Sequence, residues 1–103
     1  MEEKAIYMAD CLASSHQRFY AMLDRCPRIS HLWDRERAEI KIDLFESELG
    51  VMSPGEVHLA KFMASVWFGD NHRYGFDLAD AVACMDSRER QIILEWVADP
   101  FWP

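Results

Sequence analysis

The segment from Met52 to Glu56 constrains the fold most strongly, because it carries the start signal of a helix. Ser53 and Glu56 have the spacing of a capping box, in which each side chain accepts a hydrogen bond from the other residue's backbone N–H. Pro54 occupies the first helical position, where a missing N–H costs nothing. The apolar residues that follow lie on one helical arc: Leu59, Ala60, Phe62, Met63, Val66 and Trp67. The segment therefore predicts a core helix that runs to about Phe68.

A long amphipathic helix is predicted from Glu2 to about Cys26, where apolar positions repeat at steps of four and three until Pro27 stops the helix. His16 lies on the apolar face of this helix. A metal ligand or a pH switch is one interpretation, but no His or Cys stands four residues further on. A hydrogen-bonded core histidine is therefore the favoured interpretation.

The next predicted helix begins at Asp34 as its N-cap, runs to Leu49 and ends at Gly50 in a left-handed conformation. Its apolar residues form two ridges on nearly opposite sides, and one of these ridges contains Phe45 and Leu49. Because one ridge should face the core of the chain, the other is either covered by another helix or forms a two-fold dimer contact. The dimer is the preferred interpretation, so a second copy is among the predicted partners.

Four acidic residues lie between the two ridges, within about 80° of arc on the predicted helix. They are Glu36, Glu39, Asp43 and Glu46. A solvated face is the favoured interpretation, and a docking surface for a basic partner is the alternative. Together with Phe45 and Leu49, these four residues form the candidate partner-binding site.

A polar run flanked by glycines, Gly69 to Gly75, is predicted to be a loop. Four of its residues are a second candidate site: Asp70, His72, Arg73 and Tyr74. These residue types could serve acid–base catalysis, but no nucleophile, oxyanion hole or metal partner is marked beside them. A connecting loop in which Asp70 or Asn71 turns the chain is the favoured interpretation.

Two short helices are predicted after the loop, each with its own N-terminal cap. Asp77 caps the first, which runs from Leu78 to Met85. Its apolar face is formed by Leu78, Ala81, Val82 and Met85. Asp86 and Glu89 form a second capping box, and the helix that they open ends at Asp99-Pro100.

The apolar tail Phe101-Trp102-Pro103 is predicted to be structural. Two exposed rings at a chain end favour aggregation, so we expect the tail to dock back onto the domain. Val57 and Phe68, on the otherwise polar side of the core helix, are the predicted receivers. Another protein is the alternative receiver.

Composition and charge exclude several classes of protein. With 103 residues, 50% of them hydrophobic, and a net charge of −7, the chain is predicted to be one folded domain over 1–103. Both halves are acidic, which disfavours direct nucleic-acid binding. No apolar run is long enough for a membrane span and the N-terminus lacks the pattern of a secretory signal, so a cytoplasmic location is expected.

The cysteines and histidines show no paired ligand spacing. Cys11, Cys26 and Cys84 lie within apolar patterns and none forms a C-x-x-C pair, so buried reduced thiols are predicted. We therefore expect no metal, no cofactor and no disulfide framework.

Four short motifs mark the second half of the chain. They are Met52-Ser53-x-Gly55-Glu56, Val66-Trp67, Phe76-Asp77-Leu78 and Asp99-Pro100-Phe101-Trp102-Pro103. Together they resemble the pattern of small uncharacterised proteins encoded on bacterial mobile elements. The resemblance implies a bacterial cytosolic setting and attaches no chemistry to the motifs. Small acidic proteins of such elements often bind host machinery, and anti-CRISPR proteins are one sort.

The sequence thus predicts an all-α fold, a compact bundle of about five helices with short connections. Three functions follow as hypotheses. The preferred one is a non-enzymatic acidic module that binds a protein partner, an inhibitor of host machinery being one such case. The second is a regulatory or adaptor subunit that mimics nucleic-acid charge. The third is a small enzyme that uses the side chains of residues 70–74.

Overall fold

Five α-helices make up most of residues 14–103, the part of the chain that this computed structural model describes. The helices are α1 over residues 14–24, α2 at Ile42–Leu49, α3 at Pro54–Phe68, α4 at Leu78–Cys84 and α5 at Ser87–Ala98. A short 3-10 turn at Ser30–Leu32 and a two-stranded antiparallel ribbon lie between α1 and α2. The predicted all-α fold of about five helices is therefore confirmed.

Helix α3 forms as its capping signal predicts. Ser53 Oγ accepts a hydrogen bond from the backbone N–H of Glu56, and Glu56 Oε1 accepts one from the N–H of Ser53, both at 3.4 Å. Gly69 ends the helix at a φ of 73°, a left-handed conformation that glycine adopts readily. The predicted core arc is buried except for Trp67, which is half-buried.

Helices α4 and α5 pack against α3 in opposite directions. Phe76, just before α4, packs against Phe62 in the middle of α3, with ring centroids 5.5 Å apart. The carbonyl oxygen of Cys84, at the end of α4, lies 3.2 Å from where a Cβ of Gly55 would be, at the start of α3, so α4 runs antiparallel to α3. Glu89 lies in the first turn of α5, and its Oε1 is 2.9 Å from where a Cβ of Gly55 would be. Further along α5, Trp96 packs edge-on against Phe62 of α3, with ring centroids 5.5 Å apart. Helix α5 is therefore parallel to α3.

Helix α1 runs antiparallel to α3. Its Phe19 ring lies 5.0 Å from the ring of Trp67, near the C-terminal end of α3. Arg28, just beyond α1, lies 3.8 Å from Glu56 at the opposite end of α3. Residues 2–13 of the predicted N-terminal helix lie outside the described residues.

The predicted helix from Asp34 to Leu49 is wrong in its first half. Strand β1 (Trp33–Asp34) pairs antiparallel with β2 (Glu39–Ile40), so residues 35–38 form a turn. Asp34 Oδ1 accepts a hydrogen bond from the N–H of Arg37 in this turn (3.0 Å) and caps no helix. The ribbon places Trp33 opposite Ile40 and buries both side chains, which favours it over a continued helix.

Both ends of α2 also differ from the prediction. The helix begins only at Ile42, after Lys41, which provides no side-chain cap. Gly50 has a φ of −73°, a right-handed conformation, so the predicted left-handed C-cap is wrong. The apolar residues of α2 that face the core are Ile42, Phe45 and Leu49.

Helices α4 and α5 begin at their predicted caps. Asp77 Oδ1 accepts a hydrogen bond from the backbone N–H of Asp80 at 2.9 Å. Asp86 accepts the N–H of Glu89 at 2.8 Å, and Glu89 accepts the N–H of Asp86 at 3.0 Å, which completes the second capping box. These local signals therefore set the start of each helix correctly.

The C-terminal tail docks back onto the domain through Phe101, whose side chain is 9% exposed. Its carbonyl oxygen accepts a hydrogen bond from Trp96 Nε1 (2.9 Å), and the guanidinium carbon of Arg18 lies 4.3 Å from its ring centroid. Trp102 is 57% exposed and packs edge-on against Trp96. The contacts of Phe101 come from α1 and α5, whereas the prediction placed its receivers on α3.

Gly55→Ala is expected to lower the free energy of unfolding by about 1–3 kcal/mol, because an added methyl group overpacks a filled site. A Cβ at this position would lie 2.9 Å from Glu89 Oε1 and 3.2 Å from the backbone oxygen of Cys84. Glu89 is held in place, since its carboxylate accepts the N–H of Asp86 in the α5 capping box. Urea denaturation followed by circular dichroism measures the change.

Gly50→Ala is the matched control for this substitution. The φ of Gly50 suits alanine, and the nearest atom to a new Cβ is the Ser47 carbonyl oxygen at 3.6 Å. The free energy of unfolding should stay constant or rise by up to about 1 kcal/mol. An equal decrease in the free energy of unfolding for Gly50→Ala and Gly55→Ala would contradict the packing role of Gly55.

Candidate functional site

The four acidic residues predicted to share one helix face are divided among three elements. Glu36 lies in the turn after β1, Glu39 in β2, and Asp43 and Glu46 in α2. The prediction of one continuous helical stripe is therefore wrong, because the chain becomes helical only after β2. All four residues are exposed, and none of them forms an ion pair within 4.0 Å with another residue of the described range.

The structure contradicts Phe45 as a partner-binding residue. Its side chain is 0% exposed, and its ring centroid lies 5.9 Å from that of Trp33 and 4.7 Å from that of Tyr74. Leu49 is half-buried against the same core. This ridge of α2 is covered within the chain, which removes the reason for expecting a dimer through it.

The loop from Gly69 to Gly75 is fixed by hydrogen bonds to its own backbone, as expected of a connection. Asp70 Oδ1 accepts the N–H of His72 at 3.1 Å. Asn71 bridges to Phe76, because its Nδ2 donates to the Phe76 carbonyl (2.7 Å) and its Oδ1 accepts the Phe76 N–H (2.6 Å). The predicted turning role of Asp70 and Asn71 is confirmed.

Two of the four candidate residues, Arg73 and Tyr74, attach this loop to its neighbours. The guanidinium carbon of Arg73 lies 5.4 Å from the ring centroid of Phe68 and 5.8 Å from that of Tyr74, and Tyr74 is itself half-buried. Asp70, His72, Arg73 and Phe68 line an open depression of about 300 Å³. Since Asp70 binds the loop backbone and Arg73 stacks on aromatic rings, the arrangement favours a structural role.

His16 is only half-buried, so it is not the core histidine that the sequence predicts. Its ring lies 5.9 Å from Trp67 and 6.1 Å from Tyr20, within an aromatic cluster between α1 and α3. Burial raises the pKa of Tyr20, while the nearby guanidinium of Arg35 opposes this shift. The cluster joins the two helices through ring packing.

The two described cysteines have opposite environments. Cys26 is buried, and this burial raises the pKa of its thiol from an ordinary 9.0 to about 11. Its Sγ donates a long hydrogen bond to the carbonyl oxygen of Met22 (3.5 Å). Cys84 is exposed, which contradicts the prediction of a buried thiol there. Cys11 lies outside the described residues.

Thiol labelling at pH 8 should therefore modify Cys84 rapidly and Cys26 slowly. Because the pKa of Cys26 is about two units above the ordinary 9.0, Cys26 carries about a hundredfold less thiolate at this pH than an ordinary thiol does. Burial also blocks access of the reagent to Cys26. Iodoacetamide labelling followed by peptide mass spectrometry resolves each cysteine separately. Similar labelling rates at Cys26 and Cys84 in the native protein would contradict the buried position of Cys26.

A cleft of about 380 Å³ lies where the N-termini of α3 and α5 meet the end of α1. Its charged lining residues are Arg25, Arg28, Glu56, Asp86, Arg88 and Glu89. Arg28 lies 3.8 Å from Glu56, and Arg25 pairs with Glu95. Because three arginines face three carboxylates that also cap the helices, the cleft carries no net charge to attract an ionic ligand.

Helix α4 presents apolar side chains to the outside of the fold. Ala81 is its only buried residue, while Leu78 is 55% and Val82 is 45% exposed. Ala79 and Ala83 are exposed as well. We call Leu78, Ala79, Val82 and Ala83 together the α4 surface.

The sequence-based prediction missed the α4 surface. It placed Leu78 and Val82 on a buried face with Ala81 and Met85, but only Ala81 and Met85 are buried. A signal was present, because six of the seven residues of α4 are apolar and a helix that packs on one side cannot bury them all. The structure was needed to show which side faces α3.

Comparisons with protein-family models, curated proteins and solved structures returned no match. Within residues 14–103, no group of three His, Cys, Asp or Glu side chains is placed to hold a metal ion. No helix in this range has the length and apolar character needed to cross a membrane. The α4 surface, where four apolar residues are exposed together, is the candidate functional site.

Proposed function

We propose that the protein is a non-enzymatic acidic module that binds a protein partner. The α4 surface carries this proposal, because apolar side chains that are exposed together on one short helix are typical of interaction sites. The net charge of −7 adds a preference for partners with a basic surface. The loop of residues 69–75, which would serve an enzyme, is engaged in structural contacts instead.

The proposed setting is the cytoplasm of a bacterium, with the protein acting as an inhibitor of host machinery for a mobile element. Support for this setting comes from the motifs around Ser53, Phe76 and Phe101, which resemble those of small proteins of such elements. An inhibitor of this kind, such as an anti-CRISPR protein, needs a binding surface and no catalytic centre. The exposed apolar side chains of α4 support this proposal.

A second candidate function is a regulatory or adaptor subunit that mimics nucleic-acid charge. The observation that favours it is the exposure of Glu36, Glu39, Asp43 and Glu46, none of which is neutralised by an ion pair within the described residues. Such carboxylates could meet a phosphate-binding surface of a partner. Arg35 directly precedes Glu36, and Arg37 and Lys41 lie between the acidic residues in sequence, so these basic residues weaken the mimicry.

Affinity capture from a bacterial lysate with quantitative mass spectrometry tests the proposed function. The tagged full-length protein should enrich a host protein in a nuclease-resistant complex, and a tag-only sample should not. Replacing Glu36, Glu39, Asp43 and Glu46 by glutamine should leave this capture intact. Loss of capture in that variant would favour charge mimicry, and failure to enrich any protein would contradict the proposed function.

A further inference from the structure

We propose that the α4 surface is a docking site for a basic amphipathic helix of the partner protein. This inference rests on the proposed function and specifies the surface and the chemistry of the partner. Helix α4 has seven residues and is therefore about 10 Å long. Leu78 and Val82 are one turn apart, so they form a short apolar ridge on its exposed side.

The α4 surface is held in place before any partner binds. Ala81 and Met85 anchor the helix in the core, and Asp77 caps its first turn. The chain entering α4 is fixed by the two hydrogen bonds between Asn71 and Phe76. A preformed surface loses little conformational entropy on binding, which suits it to recognition.

The charges around α4 select the kind of partner. The charged residues of α4 and its N-cap are Asp77 and Asp80, both at the N-terminal end of the helix, while Arg73 lies in the preceding loop and Arg88 in the first turn of α5. The guanidinium of Arg90 lies at the other end, where it donates to the Met85 carbonyl at 2.7 Å. Lysine or arginine side chains of a partner would therefore be attracted to the Asp77–Asp80 end, next to Leu78.

The same charges disfavour a second copy as the occupant of this surface. A second copy would bring its own Asp77 and Asp80 to the interface, and each copy carries a net charge of −7. A helix with apolar residues at i and i+4 beside basic residues complements both the ridge and the aspartates.

A designed peptide tests this inference without knowledge of the natural partner. The probe is a leucine–lysine amphipathic helix of about 15 residues, long enough to form on binding. It is titrated into the full-length ¹⁵N-labelled protein while amide chemical shifts are recorded. We expect the largest shift changes within residues 77–85 and weaker binding at higher salt. A leucine–glutamate peptide of the same pattern should not bind.

Single substitutions localise the binding. Val82→Gln should weaken binding of the leucine–lysine peptide by about tenfold. Asp80→Asn should weaken it by about threefold, as expected for an exposed charge pair. Val51→Gln is the matched control, because Val51 is 79% exposed in the turn before α3, and it should leave the affinity unchanged. Leu78→Gln provides a second apolar variant if Val82→Gln lowers stability.

Three results of the peptide titration would overturn the inference, and a fourth comes from the protein alone. They are shift changes centred away from α4, equal binding of the acidic peptide, and equal affinity of Val82→Gln and the wild-type protein. Concentration-dependent shifts at Leu78 and Val82 without peptide would identify a second copy as the occupant and would also overturn it. These outcomes are separate from the lysate capture, which can succeed through another surface while the α4 docking site fails.

Discussion

Replacement of Phe101 by alanine is expected to lower the free energy of unfolding by about 3 kcal/mol, the low end of the range for large aromatic residues in a core. The substitution removes a ring that is 91% buried against the domain and that lies under the guanidinium of Arg18. It also loosens the tail, so the hydrogen bond from Trp96 Nε1 to the Phe101 carbonyl is weakened. For a domain of this size, such a loss is a large share of the total stability.

Trp102→Ala is the control for this prediction, because Trp102 is more than half exposed and packs edge-on against Trp96 beside the C-terminal end of α3. Trp102→Ala should lower the free energy of unfolding by less than about 1.5 kcal/mol, which is the contribution of a single aromatic pair. Deleting residues 100–103 should cost about as much as Phe101→Ala. Urea denaturation with a common m-value measures all three variants.

The tail would have a different role if the truncated protein unfolded like the full-length protein and lost its partner. Such a result would make Phe101 and Trp102 a recognition element. Arg18→Gln adds an independent test, since Arg18 donates to the Asp99 carbonyl at 2.8 Å and to its carboxylate at 3.0 Å. If the tail is structural, Arg18→Gln should lower the free energy of unfolding, although the sequence of the tail itself is unchanged.

The parts of the fold that could be predicted are those set by neighbouring residues. The capping boxes at Ser53–Glu56 and Asp86–Glu89 and the cap at Asp77 each act over three residues. Each cap therefore appears in the sequence at the position where its helix starts. The predicted end of α3 at about Phe68 is also correct, and Gly69 follows it with a positive φ. A glycine after a helix does not always adopt this conformation, since the left-handed C-cap predicted at Gly50 is wrong.

The ribbon of residues 33–40 could not be predicted, since it is fixed by distant contacts. Its turn contains no glycine or asparagine, and Ala38 adopts a φ of 53°, which is uncommon for alanine. Alanine between charged residues is typical of a helix, so local propensity pointed to the wrong element. Burial of Trp33 and Ile40 in the core outweighs that propensity.

The candidate site illustrates a related limit. The acidic residues were identified by a helical spacing that does not exist before Ile42, so their predicted common face was lost with the helix. The α4 surface was missed because apolar residues at helical spacing usually face a core. Only the packing of Ala81 and Met85 shows that Leu78 and Val82 are left outside.

Phe45→Ala should destabilise the protein by about 4 kcal/mol, because it empties a fully buried site. The Phe45 ring joins the ribbon to the loop of residues 69–75, since it packs edge-on against Trp33 and tilted against Tyr74. Leu44→Ala is the control: its side chain is 37% exposed on the other side of α2, and it should cost less than about 1.5 kcal/mol.

The concentration dependence of unfolding distinguishes this internal role from a dimer contact. If Phe45 packs within one chain, the urea midpoint of the wild-type protein should not change across a hundredfold range of protein concentration. The decrease in the free energy of unfolding caused by Phe45→Ala should also stay constant over this range. If the ridge of Phe45 and Leu49 were a dimer contact, dilution would lower the wild-type midpoint, because dissociation is coupled to unfolding. The difference between the wild-type protein and Phe45→Ala would then shrink on dilution. Light scattering over the same range should report a constant monomer mass, and a mass that rises with concentration only in the presence of Phe45 would overturn the internal assignment.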